Sequence, residues 1–289
     1  MIRGDVQPAM NDDKTASNKL VVVVFCRDRP SYLRETLRSI QGQEYQEFDI
    51  IISDNSRMDE NARLNQAAVG EYSFPGATSY VRQTGALTMC GHFFKVRDYL
   101  SSAYRYLAIH NDDDVWMPAH LSTAMARFAA NPRCVLTVAN AYIVDGDGKS
   151  MEQTLNDQDF VPPAGQTAQL GFWLKSWYGA YPGYVLSLDF AKTLPVIDNQ
   201  QIDVWMAIWA SITNNPISYI TTPTFYYRRH ATQMTLLGQN IGVDRHRLRC
   251  WMAGHYFLRV SRIYPLFFVK LLKSRFWLWQ NRDQIRAGK

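Results

Sequence analysis

LVVVVFCRDRPSYLRETLRSI, residues 20–40, reads as a buried strand, a polar loop and an amphipathic helix. Leu20 to Phe25 is a short β-branched run, the pattern of a strand covered on both faces. Cys26 to Pro30 makes the loop. Ser31 is placed to cap the helix, whose apolar side carries Tyr32, Leu33, Leu37 and Ile40. Phe48 to Ser53 is a second buried strand and ends at Asp54-Asn55-Ser56. Ser79 to Arg82 is a short third strand, and a helix is expected over about 91–103. Tyr106 to Ile109 is the next strand and runs into His110-Asn111-Asp112-Asp113-Asp114-Val115-Trp116.

Strand, helix, strand, helix, strand is the order of a parallel α/β sheet. Ligands of such sheets sit beyond the carboxyl ends of the strands. Arg27 and Asp28, Asp54 to Ser56, Arg82, and Asp112 to Asp114 all fall at such ends. Three adjacent carboxylates repel one another and are costly to desolvate without a counter-charge. A divalent cation with oxygen ligands is the simplest one. The aspartate run therefore reads as a metal–diphosphate site or, more blandly, as an acidic solvated loop.

Downstream, a helix is expected over 118–130 and a strand over 135–144. Asp145-Gly-Asp-Gly148 is a hairpin turn, because the later ligands of a calcium loop are missing. Residues 151–180 read as irregular and rich in aromatics. A strand over 183–188, a helix over 202–212 and strands over 217–220 and 224–227 complete the core. With 47% hydrophobic and 13% aromatic residues in 289, a sizeable core is available and a disordered chain is excluded. The four cysteines are far apart with no CxxC pair, which argues against a zinc site or disulfides and suits a reducing cytosol. Residues 1–18 are polar, expected to be flexible, and lack a signal-peptide pattern.

Four segments together resemble family 2 glycosyltransferases with the GT-A fold. They are VVVVFCRDRPSYLRETLRSIQGQ, FDIIISDNS, YLAIHNDDDVWMPAHL and FYYRRHATQMT. The flavour is similar to bacterial enzymes of surface-polysaccharide biosynthesis, such as abequosyltransferase-like proteins. The resemblance implies a Rossmann-like, mostly parallel central sheet flanked by helices. It implies a GT-A domain over 19–240, after the flexible 1–18 and before a basic aromatic helical tail at 241–289. It also implies an inverting, metal-dependent transferase. That enzyme would move a sugar from a nucleotide-sugar, UDP-sugar favoured, to a hydroxyl of a glycan or lipid-diphosphate-linked acceptor, as in O-antigen-type biosynthesis.

Carried over by position, the resemblance places Asp28, Asp54 and Arg82 near the nucleotide. The aspartate run matches the DxD region in either of two registers, Asn111 with Asp113 or Asp112 with Asp114. Asp112 is expected at the ribose, and Asp113 or Asp114 on Mg²⁺ or Mn²⁺. Arg228 matches a residue near the donor diphosphate, and His230 is a further metal ligand. Asp203 stands where the family keeps its catalytic base, with Asp198 and Asp189 as runners-up. The aromatic stretch from Phe172 to Gly183 would line an acceptor site or simply pack the core.

The charge is uneven. The chain carries +5 overall, yet Arg245 to Lys289 holds eleven Lys/Arg against the single acid Asp283, a local balance of +10. Basic residues among Trp, Phe and Leu make the tail an amphipathic helical extension suited to an anionic membrane surface. A peripheral location at the cytoplasmic, inner face of the cell membrane follows, the alternative being a helix docked on the core or a partner subunit. No nucleic-acid module is recognisable, so no nucleic-acid partner is expected. Competing functions are weaker. A sugar nucleotidyltransferase needs a glycine-rich loop after strand one, where Cys26 to Pro30 has no glycine. An Asp-x-Asp phosphatase carries its motif on the first strand. A non-catalytic sugar- or nucleotide-binding protein needs no diphosphate-type metal site.

Overall fold

The computed structural model describes residues 19–289 apart from 86, 158, 176–179, 200, 232, 234–240, 283–284 and 286–289. The segment 1–18, expected to be flexible, lies outside the described residues, as do residues 176–179 of the aromatic stretch.

Strand β1 (Leu20–Cys26) is buried along its whole length. Val21, Val23 and Phe25 enter one apolar cluster, while Leu20, Val22, Val24 and Cys26 enter another. That period of two marks a central strand covered on both faces. Helix α1 (Pro30–Gln41) starts two residues earlier than expected. Arg29 is its N-cap and Pro30 its first residue, so Ser31 lies inside the helix and does not cap it. Proline suits that position because its missing N–H would have had no helical partner. Leu33, Leu37 and Ile40 form the buried face of α1.

Strand β2 (Phe48–Asp54), helix α2 (Asp59–Val69), strand β3 (Thr78–Arg82) and helix α3 (Met89–Tyr99) follow. Helix α2 was not legible in the sequence, because its buried face offers only the small residues Ala62, Ala68 and Val69 with the polar Asn65. Helix α3 stops before Leu100, whose backbone turns extended, and not at 103. Next come β4 (Tyr106–Asn111), β5 (Val115–Trp116), α4 (His120–Ala130), β6 (Leu136–Val144) and β7 (Ser150–Thr154). Strands β6 and β7 form the hairpin expected around Asp145, whose Oδ1 accepts from the N–H of Asp147 and Lys149. The region 151–180 is less irregular than expected, since it holds most of β7 and helix α5 (Gln166–Trp173).

A short 3-10 turn (Tyr181–Gly183) leads into β8 (Tyr184–Ser187), α6 (Leu188–Thr193), α7 (Ile202–Ile212) and β9 (Ile217–Arg228). Strand β9 is one long strand where two were expected. Its register against β6 shifts around Asn140, opposite Pro223, which has no N–H to give a ladder. Helices α8 (Ile241–Ile263) and α9 (Phe267–Gln280) come last, with Pro265 between them.

The sheet order is β3-β2-β1-β4-β8-β6-β9-β5, with β7 beside β6. Strands β1, β2, β3, β4, β6 and β9 run in one direction; β5, β7 and β8 oppose them. The register aligns Cys26 with Asp54 and Asp54 with Arg82, so three of the polar clusters end side by side. Among the described residues no helix is long and apolar enough to cross a membrane.

Candidate functional site

The site is assembled by one strand pairing. Strand β4 ends at Asn111, the chain turns through Asp112 to Asp114, and β5 then pairs antiparallel with β9, Val115 opposite Tyr226. That pairing lays the end of β9 along the aspartate turn. The Arg228 N–H donates to Asp114 Oδ1 at 2.8 Å, and Arg228 Nε donates to the Asp113 carbonyl at 3.0 Å. Two residues on, His230 Nε2 lies 3.0 Å from Asp113 Oδ2. Trp116 fixes the turn from below. Its indole N–H donates to the Pro182 carbonyl at 2.8 Å, and its ring is stacked on His120 and tilted against His110.

The loop after β1 closes the turn from the other side. The Arg27 N–H donates to Asp112 Oδ2 at 2.7 Å. The Arg29 guanidinium forms ion pairs with Asp112, at 2.5 Å, and with Asp113. A buried carboxylate must have such partners, because burial alone penalises its charge. Burial raises the Asp112 carboxyl above its ordinary range although Arg29 pulls the other way, and the Asp113 charge adds to the rise. Asp114 is pushed well up by burial and then by Asp113. Asp113 alone is held low: burial opposes ionisation, but His230 and Arg29 outweigh it.

Arg228 is buried and fully engaged. Its Nη1 donates to the Gly146 carbonyl at 2.8 Å, its Nη2 pairs with Glu35, and its guanidinium lies 4.7 Å over the Tyr32 ring. Tyr32 also packs on His230, with ring centroids 5.0 Å apart.

A second cluster lies at the ends of β2 and β3. Asp54 is completely buried and accepts from the Ser56 N–H at 2.6 Å, Asn65 Nδ2 at 3.1 Å and the Tyr80 hydroxyl at 2.5 Å, with Arg82 at 3.5 Å. Asp28 sits in left-handed backbone, φ +57°, and its carboxylate accepts from the N–H of Arg57 and Met58 at the entry to α2. Burial opposes its ionisation, but those N–H groups and Asn61 hold it below the usual range. The Asp28 N–H donates to Ser56 Oγ at 2.8 Å, so the single loop 27–29 ties both clusters together.

Asp203 lies apart from this network, in the first turn of α7, where its Oδ1 accepts the Val204 N–H at 2.8 Å. It is buried beside Tyr181 and Tyr184, whose hydroxyls are pushed up by burial first and by its charge in part. Tyr181 belongs to the same turn as Pro182, the acceptor for Trp116. Asp189 opens α6 and Asp198 precedes α7.

Arg29, Glu35 and Tyr32 are the site residues that the sequence did not single out. The signal for Arg29 was present: a cation beside Asp28 in the same row of strand ends that carries the aspartates.

A divalent cation fits this donor set in part. Asp113 Oδ2 and His230 Nε2 converge, so one carboxylate and one imidazole would be available to hold a cation. Among the described residues no three His, Cys, Asp or Glu side chains are grouped to hold a metal by themselves.

A profile of glycosyl transferase family 2 matches residues 21–186, more than half of the chain. The chain belongs to glycosyl transferase family 2. No curated protein sequence matches it. Among solved structures it is similar to residues 1–349 of TarS from S. aureus, at 14% identity and TM-score 0.60, covering 89% of this chain and 72% of that one. The same TarS fragment in complex with UDP-GlcNAc matches at 12% identity and TM-score 0.61, covering 87% and 72%. A mannosyltransferase from Pyrobaculum calidifontis, in complex with GDP-Man and Mn²⁺, matches at 14% identity and TM-score 0.53, covering 90% and 69%. The family 2 chain thus has the GT-A fold, with its C-terminal helices added.

Proposed function

We propose that this family 2 protein is an inverting glycosyltransferase that uses a nucleotide-diphosphate sugar. The observation that carries the reading is the convergence of Asp113, His230 and Arg29 at the carboxyl end of β4. Charge there is poised for a diphosphate and its cation. The solved neighbours bind UDP-GlcNAc, UDP or GDP-Man, and one holds Mn²⁺. We take a UDP-sugar as donor. The acceptor is a hydroxyl of a glycan or lipid-diphosphate-linked saccharide, used in O-antigen-type polysaccharide assembly.

In this reading Asp113 and His230 hold Mg²⁺ or Mn²⁺, whose chemistry is to neutralise the departing diphosphate. Asp114 turns to the β9 backbone and shapes the loop. Asp112, held by Arg27 and Arg29, faces the ribose. Arg228 uses its fork to fix the aspartate turn, and so positions the diphosphate pocket. Asp28, Asp54 and Arg82 form the wall for the base. Asp203 takes the acceptor proton as that oxygen bonds to the anomeric carbon and the sugar–phosphate bond breaks, which inverts the carbon.

A thermal-shift panel tests the donor half: nucleoside diphosphates with and without Mn²⁺, read as a rise in melting point. UDP with Mn²⁺ is expected to raise it, and Asp113→Asn to abolish the Mn²⁺-dependent part. Asp203→Asn is expected to keep the shift and to lose about 10²–10⁴-fold in kcat. A transfer rate unchanged in both variants rejects the assignment.

A further inference from the structure

The two terminal helices have one committed face and one open face. Val243, Leu248, Met252 and Val260 of α8 are buried in the core. Trp251 of α8 meets Trp205 of α7 edge-on at 5.2 Å, two residues beyond Asp203. Phe267, Leu271 and Ser274 turn α9 inward, and His246 stacks on Trp277 at 4.5 Å to join the two helices. The docked side is thus fully explained by the fold.

The other side is not. Of the thirteen large hydrophobic residues exposed among the described residues, seven lie between Leu258 and Trp279. At 100° per residue, Phe268, Val269, Leu272, Phe276 and Trp279 of α9 fall within an arc of about 100°, opposite its buried side. Each is between 45% and 59% exposed. Lys273 borders that arc on one flank, Arg275 and Arg282 on the other. The Arg282 guanidinium lies 5.4 Å over the Trp279 ring. Burial first, then the charges of Arg249, Lys175 and Lys273, pull the Lys270 ammonium down, a sign of crowded cations. Only one acid, Asp283, stands in residues 245–289.

An apolar stripe with basic flanks is the composition of a helix lying in a bilayer interface, its rings among the headgroups and its cations on anionic lipid. A second copy of this chain would bring the same dense positive charge against itself. We propose that the open stripe of α9, with the exposed Leu266 at its N-cap, seats the protein in the interfacial layer of an anionic lipid bilayer. Through Trp251 and Trp205 that seat is packed onto the helix that carries Asp203. The seating itself stands without the reading of Asp203.

The test uses the full chain and sedimented vesicles, either of phosphatidylcholine alone or with about one third phosphatidylglycerol. The wild type is expected to co-sediment with the anionic vesicles and to be released by high salt. Leu272→Ser with Phe276→Ser and Trp279→Ser is expected to cut the partition coefficient by at least about a hundredfold. Its melting point and its nucleotide-induced shift should be those of the wild type. Lys273→Glu with Arg275→Glu is expected to remove the preference for anionic lipid. The proposal is overturned if the wild type stays in the supernatant or if the triple variant binds as well as the wild type. It is also overturned if sedimentation velocity shows that the stripe closes a dimer which ignores vesicles. A lost thermal shift with retained binding would reject the donor reading and leave the seat in place.

Discussion

Arg29 and Asp112 form an ion pair at 2.5 Å inside the site, and the same guanidinium reaches Asp113. Arg29 is thereby the resident counter-charge of the aspartate turn. Its own pKa is raised: burial opposes its charge, but Asp112 and Asp113 more than restore it. Removing one partner of a buried pair leaves an uncompensated charge, typically costing about 3–5 kcal/mol. Arg29→Ala is expected to lower the unfolding free energy by about that amount in chelator. Millimolar Mn²⁺ should recover part of it, while Mn²⁺ without nucleotide should barely move the wild type. Chemical denaturation with and without Mn²⁺ reads both; equal Mn²⁺ effects on the two proteins would remove Arg29 from this role.

Gly183 sits where β8 leaves the turn that holds Trp116. A Cβ there would stand 2.8 Å from the Phe225 ring and 2.9 Å from the Ala139 carbonyl. Neither neighbour can retreat, since both are buried in the sheet. Gly183→Ala is expected to cost about 1–3 kcal/mol as overpacking. Because Pro182 anchors the Trp116 indole, the variant should also weaken nucleotide binding. Urea unfolding and a nucleotide titration check the two parts separately.

The strands were legible because β1, β2 and β4 are covered on both faces and so carry unbroken apolar runs. The row of polar strand ends followed from that, and with it the neighbourhood of Asp28, Asp54, Arg82 and the aspartates. Helix α2 was not legible, since its exposed side dominates its composition. The partner of the aspartate turn could be named only in part. His230 was expected near it from the family pattern. The sequence offered Arg29 as one more cation in that row, but its pairing with Asp112 and Asp113 follows only from β1 and β4 lying side by side, with 85 residues between the partners of the Arg27–Asp112 bond. Arg228 looked like a free cation for phosphate. In the fold its donors are spent on Asp113, Gly146 and Glu35, which no local pattern encodes.

His92 gives a pH dependence with a definite sign. Its Nε2 lies 2.7 Å from Ser53 Oγ, and burial lowers its pKa to about 4. Between that value and the ordinary 6.5, the unfolded chain binds a proton that the folded one refuses, so stability falls as pH drops through this window. Asp112 and Asp114, whose folded pKa values are raised, act in the opposite direction. A difference measurement therefore isolates the histidine. Between pH 7.5 and 5 the wild type should lose about 2 kcal/mol more than His92→Gln. Parallel curves for the two proteins would contradict this.

Arg228 can be separated from Glu35 by geometry. Glu35 is 47% exposed, so its charge is well screened, whereas the Arg228 side chain is 2% exposed. Nε to the Asp113 carbonyl, Nη1 to Gly146 and the stack on Tyr32 all need a planar fork. A lysine at 228 offers one point charge and leaves the Asp113 and Gly146 carbonyls short of partners. A buried group so stranded, such as the Asp113 carbonyl, costs about 1–3 kcal/mol, and the half-buried Gly146 carbonyl costs less. Arg228→Lys is expected to lose about 2–4 kcal/mol of stability on that basis and to loosen the turn that carries Asp113. Glu35→Gln, which keeps an acceptor in place, should stay near the wild type in both respects. Denaturant midpoints and nucleotide affinities of the two variants, measured side by side, decide it: a Glu35→Gln defect as large as that of Arg228→Lys would place the weight on the ion pair and not on the fork.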